Sequence, residues 1–136
     1  MKRFKLIEHT ADIGLIAYGQ DLAEAFSNAA YGLFSIITDL RRVRKVESRI
    51  VELQERSPED LLFSWLNHLI YLFDTEQMLF KSWDVQEFDG LKIKSVCFGE
   101  KADPLRHDLK LGVKAATYYM LKVDPEKNQV QVIFDI

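Results

Sequence analysis

The sequence predicts an α+β fold in which two helices pack on one face of a mixed, mainly antiparallel sheet, in the order ββαβαββββ. Two segments carry apolar residues at helical spacing, whereas the other apolar segments alternate as strands do. Asp89-Gly90 lies between two predicted strands and is a strong hairpin signal. Successive hairpins at the end of the chain exclude a doubly wound nucleotide-binding fold.

The first third of the chain predicts two strands, at 2–9 and 12–18, followed by a helix. Asp21 and Glu24 resemble a capping box, because each carboxylate can accept a hydrogen bond from a free N–H at the helix start. Residues 38–39 end this helix. Its apolar stripe comprises Leu22, Ala25, Phe26, Ala29, Leu33, Phe34, Ile36 and Ile37.

The rest of the chain predicts one more helix and five more strands. Residues 41–56 are charged and rich in Val and Ile, as in a partly exposed strand. Ser57 is a good N-cap, and Pro58 suits the first helical position because its missing N–H needs no partner there. The helical stripe comprises Leu61, Leu62, Trp65, Leu66, Leu69, Ile70 and Phe73, and the last strands are predicted at 79–88, 91–100, 112–123 and 129–135.

Length and composition predict a single domain over residues 1–136. The chain has 48% hydrophobic residues, enough for one core, and no Gly/Ser linker. Its charged start is unlike a signal peptide, and no uncharged run reaches the roughly 18 apolar residues of a membrane helix. A cytoplasmic protein is therefore expected. The net charge of −3 gives no overall attraction to nucleic acid or membranes.

Common catalytic motifs are missing from the sequence. It has no phosphate-binding glycine loop, serine-hydrolase elbow or paired-cysteine motif. The three histidines are scattered, which disfavours a zinc enzyme. Cys97 is the only cysteine and lies in an apolar run, so we expect a buried side chain rather than a reactive thiol.

Acidic oxygens are concentrated at two places that the fold could bring together. Asp12 follows the turn after the first strand, and the chain ends at Asp135 and Ile136 with a side-chain and a terminal carboxylate one residue apart. If the last strand pairs with the first hairpin, these groups would repel one another unless a cation or proton neutralised them. Ca²⁺ suits such oxygen ligands. The alternatives are a simple turn at Asp12 and a frayed terminus.

The chain resembles the archease family from end to end. The landmarks are His9-Thr10-Ala11-Asp12, Glu24-Ala25-Phe26-Ser27-Asn28-Ala29-Ala30, Leu61-Leu62-Phe63-Ser64-Trp65-Leu66, Gly99-Glu100, Val113-Lys114-Ala115-Ala116-Thr117-Tyr118 and Asp135-Ile136. It departs from the usual family pattern at Glu8, Gly112 and Tyr119. The loss of an acid at Gly112 argues against an electrostatic role for that position.

The resemblance implies a non-catalytic, chaperone-like activator of the RtcB-type RNA ligase in tRNA splicing and RNA repair. Such a protein would promote guanylylation of the ligase and multiple turnover, and would act on tRNA or other RNA indirectly, through the ligase. It implies a divalent metal, usually calcium, on Asp12, Asp135 and Ile136, with Lys114 and His9 acting on the partner. Taken alone, Lys114 is more typical of a surface lysine.

Two other functions stay open. The first is an RNA-binding chaperone or modulator of a tRNA-modifying enzyme, based on the basic residues from Arg41 to Arg49. That run lacks interleaved aromatic residues, which favours a solvated strand face instead. The second is a metal-dependent phosphohydrolase that uses the same carboxylates, although no histidine pairs with them convincingly.

Overall fold

The computed structural model of the chain describes residues 2–8 and 11–136 and confirms the predicted fold class and element order. His9 lies outside the described residues. The strands are β1 (Phe4–Glu8), β2 (Asp12–Tyr18), β3 (Glu47–Gln54), β4 (Met78–Phe88), β5 (Lys92–Lys101), β6 (Ala115–Asp124) and β7 (Gln129–Asp135). The helices are α1 (Leu22–Ile37) and α2 (Pro58–Glu76), and a short 3-10 helix spans Leu40–Arg42.

The strands form two antiparallel sheets instead of one mixed sheet. The larger sheet has the order β1-β2-β7-β6, and the smaller has the order β3-β5-β4. The last strand therefore inserts beside the first hairpin and becomes a central strand. The two sheets share α1, which packs against β2 of the larger sheet and β4 of the smaller.

Both helices begin at the predicted caps. The Asp21 carboxylate accepts from the Glu24 N–H at 2.8 Å, and the Ser57 hydroxyl accepts from the Asp60 N–H at 3.1 Å. Both predicted stripes are buried in one core, except that Leu22 and Phe73 are only partly covered. Burial of these stripes outweighs weak local helix propensity. Of the described helices, none is both long and apolar enough to cross a membrane.

Two predicted strands begin three or more residues later than the sequence suggests. The strand predicted at 41–56 starts at Glu47, because Asp39 caps a 3-10 turn by accepting from the Arg41 N–H at 3.1 Å. The strand predicted at 112–123 starts at Ala115, so Lys114 precedes it. Its register also shifts between Thr117 and Lys122, which breaks the simple alternation expected for this segment.

Candidate functional site at the end of the larger sheet

The predicted acidic residues meet at one end of the larger sheet. In the antiparallel pairing of β2 with β7, Asp12 lies directly opposite Asp135. Directly opposed residues project from the same face of a sheet, with Cβ atoms about 4.5–5.5 Å apart. Asp135 is therefore held in a strand, and the frayed-terminus alternative does not describe it.

The Asp12 carboxylate lacks a partner in this arrangement. Its Oδ1 atom is buried and has no hydrogen-bond partner among the described residues. A buried carboxylate oxygen with no donor is costly, and a like charge directly opposite adds repulsion. A hydrogen-bond donor or a cation placed between the carboxylates would remove both costs.

The neighbouring strand brings Lys114 to the same end. The Lys114 N–H donates to the main-chain oxygen of Asp135 at 2.8 Å, and Ala115 is the register partner of Asp135 across β6 and β7. The Lys114 side chain is exposed. Ile136 follows Asp135 directly and packs its partly buried side chain against the core.

These residues fit a hard divalent cation such as Ca²⁺. The carboxylates of Asp12 and Asp135 and the main-chain oxygen of Ile136 offer oxygen ligands only, which Ca²⁺ accepts in flexible geometry with water completing the shell. Among residues 2–8 and 11–136, no cluster of three or more His, Cys, Asp and Glu side chains could hold a metal. The arrangement thus supplies two side-chain carboxylates and a neighbouring main-chain oxygen, without the ligand set of a closed zinc site.

An exposed aromatic surface leads away from Lys114 along β6. Tyr118, Tyr119 and Met120 are all at least half exposed. Tyr118 is held in place because its ring stacks on Phe63 with centroids 3.9 Å apart, and its hydroxyl donates to Asp60 at 2.8 Å. Met120 has a positive φ of 55°, which marks the irregular part of the strand. The acidic tip, which comprises Asp12, Lys114, Asp135 and Ile136, is therefore followed along β6 by an ordered, exposed apolar surface.

The predicted basic run is partly neutralised. Arg41 pairs with Asp39 at 2.9 Å, and Arg49 pairs with Glu76 at 2.8 Å. Surface pairs of this kind reduce the positive potential that these two arginines offer to phosphate. In the described part of the chain, Lys45 forms no ion pair and is exposed.

A buried polar network surrounds Glu100 and was not predicted from the sequence. The Arg106 guanidinium and the Arg44 N–H donate to its carboxylate, the latter at 2.7 Å. His107 lies 3.0 Å from the same group, and its Nδ1 accepts from the Asp103 N–H at 2.8 Å, so the ring donates through Nε2. The Arg106 hydrogen bond, opposed by burial and assisted by Arg44 and His107, lowers the pKa of Glu100 to about 2.

This network fastens the loop after β5 to the core instead of forming a second reactive site. The Arg106 guanidinium also donates to the main-chain oxygen of Arg42 at 2.9 Å, so it joins that loop to the 3-10 turn. Gly99-Glu100 was visible in the sequence only as a short landmark. Its side-chain partners, Arg106 and His107, lie in the irregular segment after β5, where residue spacing predicts no contact.

Comparison with known proteins places the chain in one family. Residues 4–136 match the Archease protein family (MTH1598/TM1083). The chain is 38% identical to protein archease of Sulfurisphaera tokodaii over 98% of this chain and 97% of that protein. It is 40% identical to protein archease of Pyrococcus abyssi, covering 91% and 89% of the two chains.

Solved structures agree with this assignment. The solution structure of Methanobacterium thermoautotrophicum protein 1598 is similar over 100% of both chains, with 35% identity and a TM-score of 0.83. A Thermotoga maritima archease, described as a possible chaperone, has 23% identity and a TM-score of 0.63 over 97% and 96% of the chains, a likeness that shows the fold alone. By sequence match and relatives together, the chain belongs to the archease family.

Proposed function

We propose that this archease is a metal-binding, non-catalytic activator of an RtcB-type RNA ligase in tRNA splicing and RNA repair. The observation that carries the proposal is the opposition of Asp12 and Asp135, with one buried carboxylate oxygen left without a partner among the described residues. A bound divalent cation, Ca²⁺ in this proposal, would neutralise the carboxylates of Asp12 and Asp135 and take a main-chain oxygen of Ile136 as a further ligand.

The residues around this site suit a surface that acts on another protein. Lys114 presents an exposed cation beside the acidic pair, and the aromatic edge of β6 supplies ordered apolar area next to it. Ordered aromatic side chains are favoured at protein interfaces because they bury much area at little entropic cost. Such a tip would promote guanylylation by binding one conformation of the ligase more tightly than the others.

The proposal is tested by multiple-turnover RNA ligation with the partner ligase. Asp12→Ala, Asp135→Ala and Lys114→Ala should each reduce stimulation of the ligase by at least about tenfold, the effect of about 1.4 kcal/mol in a binding or activation step.

A matched control lies at the opposite end of the same strands. Glu126→Ala removes an exposed acid from the turn between β6 and β7, far from Asp135 along the strand. It should leave ligation unchanged. Full stimulation by the Asp12 and Asp135 variants, or equal loss with Glu126→Ala, would contradict the site assignment.

A further inference from the structure

A cleft around Trp83 joins cationic and aromatic side chains that are distant in the sequence. One cleft, of about 450 Å³, is lined by Lys45, Ser82, Trp83, Asp84 and Phe98. A second, of about 240 Å³, shares Ser82 and Trp83 and extends to Arg3, Lys81 and Tyr31. Trp83 therefore lines two neighbouring depressions on the surface formed by α1, β4 and the segment before β3.

The surface around Trp83 is locally positive, although the whole protein carries a net negative charge. Its cations are Arg3, Lys45 and Lys81, with Lys2 beside Arg3 in an adjoining depression. The lining acids are Glu24 and Asp84, and the Glu24 carboxylate already accepts from the Gln20 N–H at 2.8 Å. A locally positive groove on a protein of net charge −3 attracts a phosphate backbone only at that groove.

The chain geometry directs these side chains toward the cleft. Lys81 is the extra residue where the register of β4 and β5 shifts between Phe80 and Ser82, and bulges commonly re-aim a side chain near a binding site. Arg3 lies 4.2 Å above the Tyr31 ring centroid, which holds its guanidinium beside the groove.

Trp83 also has an unused hydrogen-bond donor. Its Nε1 atom is buried without a partner among the described residues, whereas the Nε1 of Trp65 donates to the Phe26 carbonyl at 3.0 Å. Buried indole N–H groups usually have an acceptor. A ligand oxygen or base edge entering the cleft would provide one after a small rotation of the indole.

We propose that the Trp83 cleft binds a short single-stranded nucleic-acid segment. Aromatic rings that can stack on bases, combined with cations that follow the backbone, characterise sequence-tolerant single-strand binding. The basic run at Lys45 lacks neighbouring aromatic residues in sequence, but the fold places Trp83 and Phe98 beside it. This site would let the protein hold an RNA strand directly, on a surface built from residues other than those of the acidic tip.

Titration of an unstructured RNA octamer, followed by tryptophan fluorescence, tests the proposal. Quenching should come from Trp83, because Trp65 is fully buried. Trp83→Phe should abolish the quenching. Lys45→Gln/Lys81→Gln should weaken binding by about tenfold and reduce the slope of log K against log salt by about 1.4, because each phosphate that a lysine neutralises contributes about 0.7 to that slope.

The matched control is Lys122→Gln/Lys127→Gln, which removes the same charge from exposed positions on β6 and the following turn. It should retain the affinity and salt slope of the wild type, and a duplex of the same sequence should bind more weakly because its bases are already stacked. Equal weakening by the two double variants, persistent quenching in Trp83→Phe, or tighter binding of the duplex would overturn the proposal. So would the absence of RNA binding at low salt. Neither double variant alters Asp12, Asp135 or Lys114, so ligase activation reports on the acidic tip separately.

Discussion

Replacement of Asp12 by Asn should stabilise the metal-free protein and remove its stabilisation by Ca²⁺. At a Cβ separation of about 5 Å, repulsion between two carboxylates is about 1 kcal/mol in water and about 3 kcal/mol at an effective dielectric constant of about 20. Because Asp135 is exposed, the lower value applies. With an unfolding entropy of about 2.1 cal/mol/K per residue, Asp12→Asn should raise Tm by about 3–4 °C without metal.

With Ca²⁺ present, the wild type should be more stable than Asp12→Asn, which is the reverse of the order without metal. A ligand at about 100 times its Kd stabilises the native state by about 2.7 kcal/mol, which corresponds to a Tm increase of about 9 °C for a domain of this size. Thermal unfolding of the wild type, Asp12→Asn and the control Glu126→Gln, each with chelator and with excess Ca²⁺, measures both effects. The wild type and control should gain stability, and Asp12→Asn should not. Equal calcium shifts in all three proteins, or a metal-free Asp12→Asn protein less stable than the wild type, would refute the reasoning.

Three other predictions concern the stability of the fold and the reactivity of its buried thiol. Glu100→Gln should cost about 3 kcal/mol at pH 7, because a pKa lowered from 4.5 to about 2 stabilises the fold above pH 4.5. In urea unfolding at several pH values, its difference from the wild type should shrink as pH falls from about 4.5 to about 2; a constant difference would exclude this linkage. Gly99→Ala should lower the free energy of unfolding in urea by at least about 3 kcal/mol, because the new Cβ would lie 1.8 Å from the Leu79 carbonyl oxygen. In the control Gly112→Ala, the new Cβ meets no atom within 4 Å, and the free energy of unfolding should change by less than about 0.5 kcal/mol. Cys97 should resist alkylation in the native protein at about pH 8 and react only after unfolding, because burial raises its thiol pKa to about 12; rapid native labelling would contradict this.

Features that depend on neighbouring residues could be predicted without the structure. Asp21 and Ser57 cap their helices as predicted, because a cap joins groups only three residues apart. The apolar stripes identify the helix faces that form the core, and Asp89-Gly90 marks the hairpin between β4 and β5. Element boundaries differ from the prediction where local signals compete. Asp39 diverts the chain into a 3-10 turn, although the following Val and Ile residues favour a strand.

Which distant groups come together depends on how the whole chain folds. Asp12 and Asp135 occupy opposite ends of the chain, and their opposition depends on β7 entering the sheet beside β2, a register that side-chain alternation alone does not specify. Trp83 likewise meets Lys45 because β4, β5 and the segment before β3 converge. Local propensity reflects the few residues along one turn or strand, whereas these sites depend on long-range packing of the whole core.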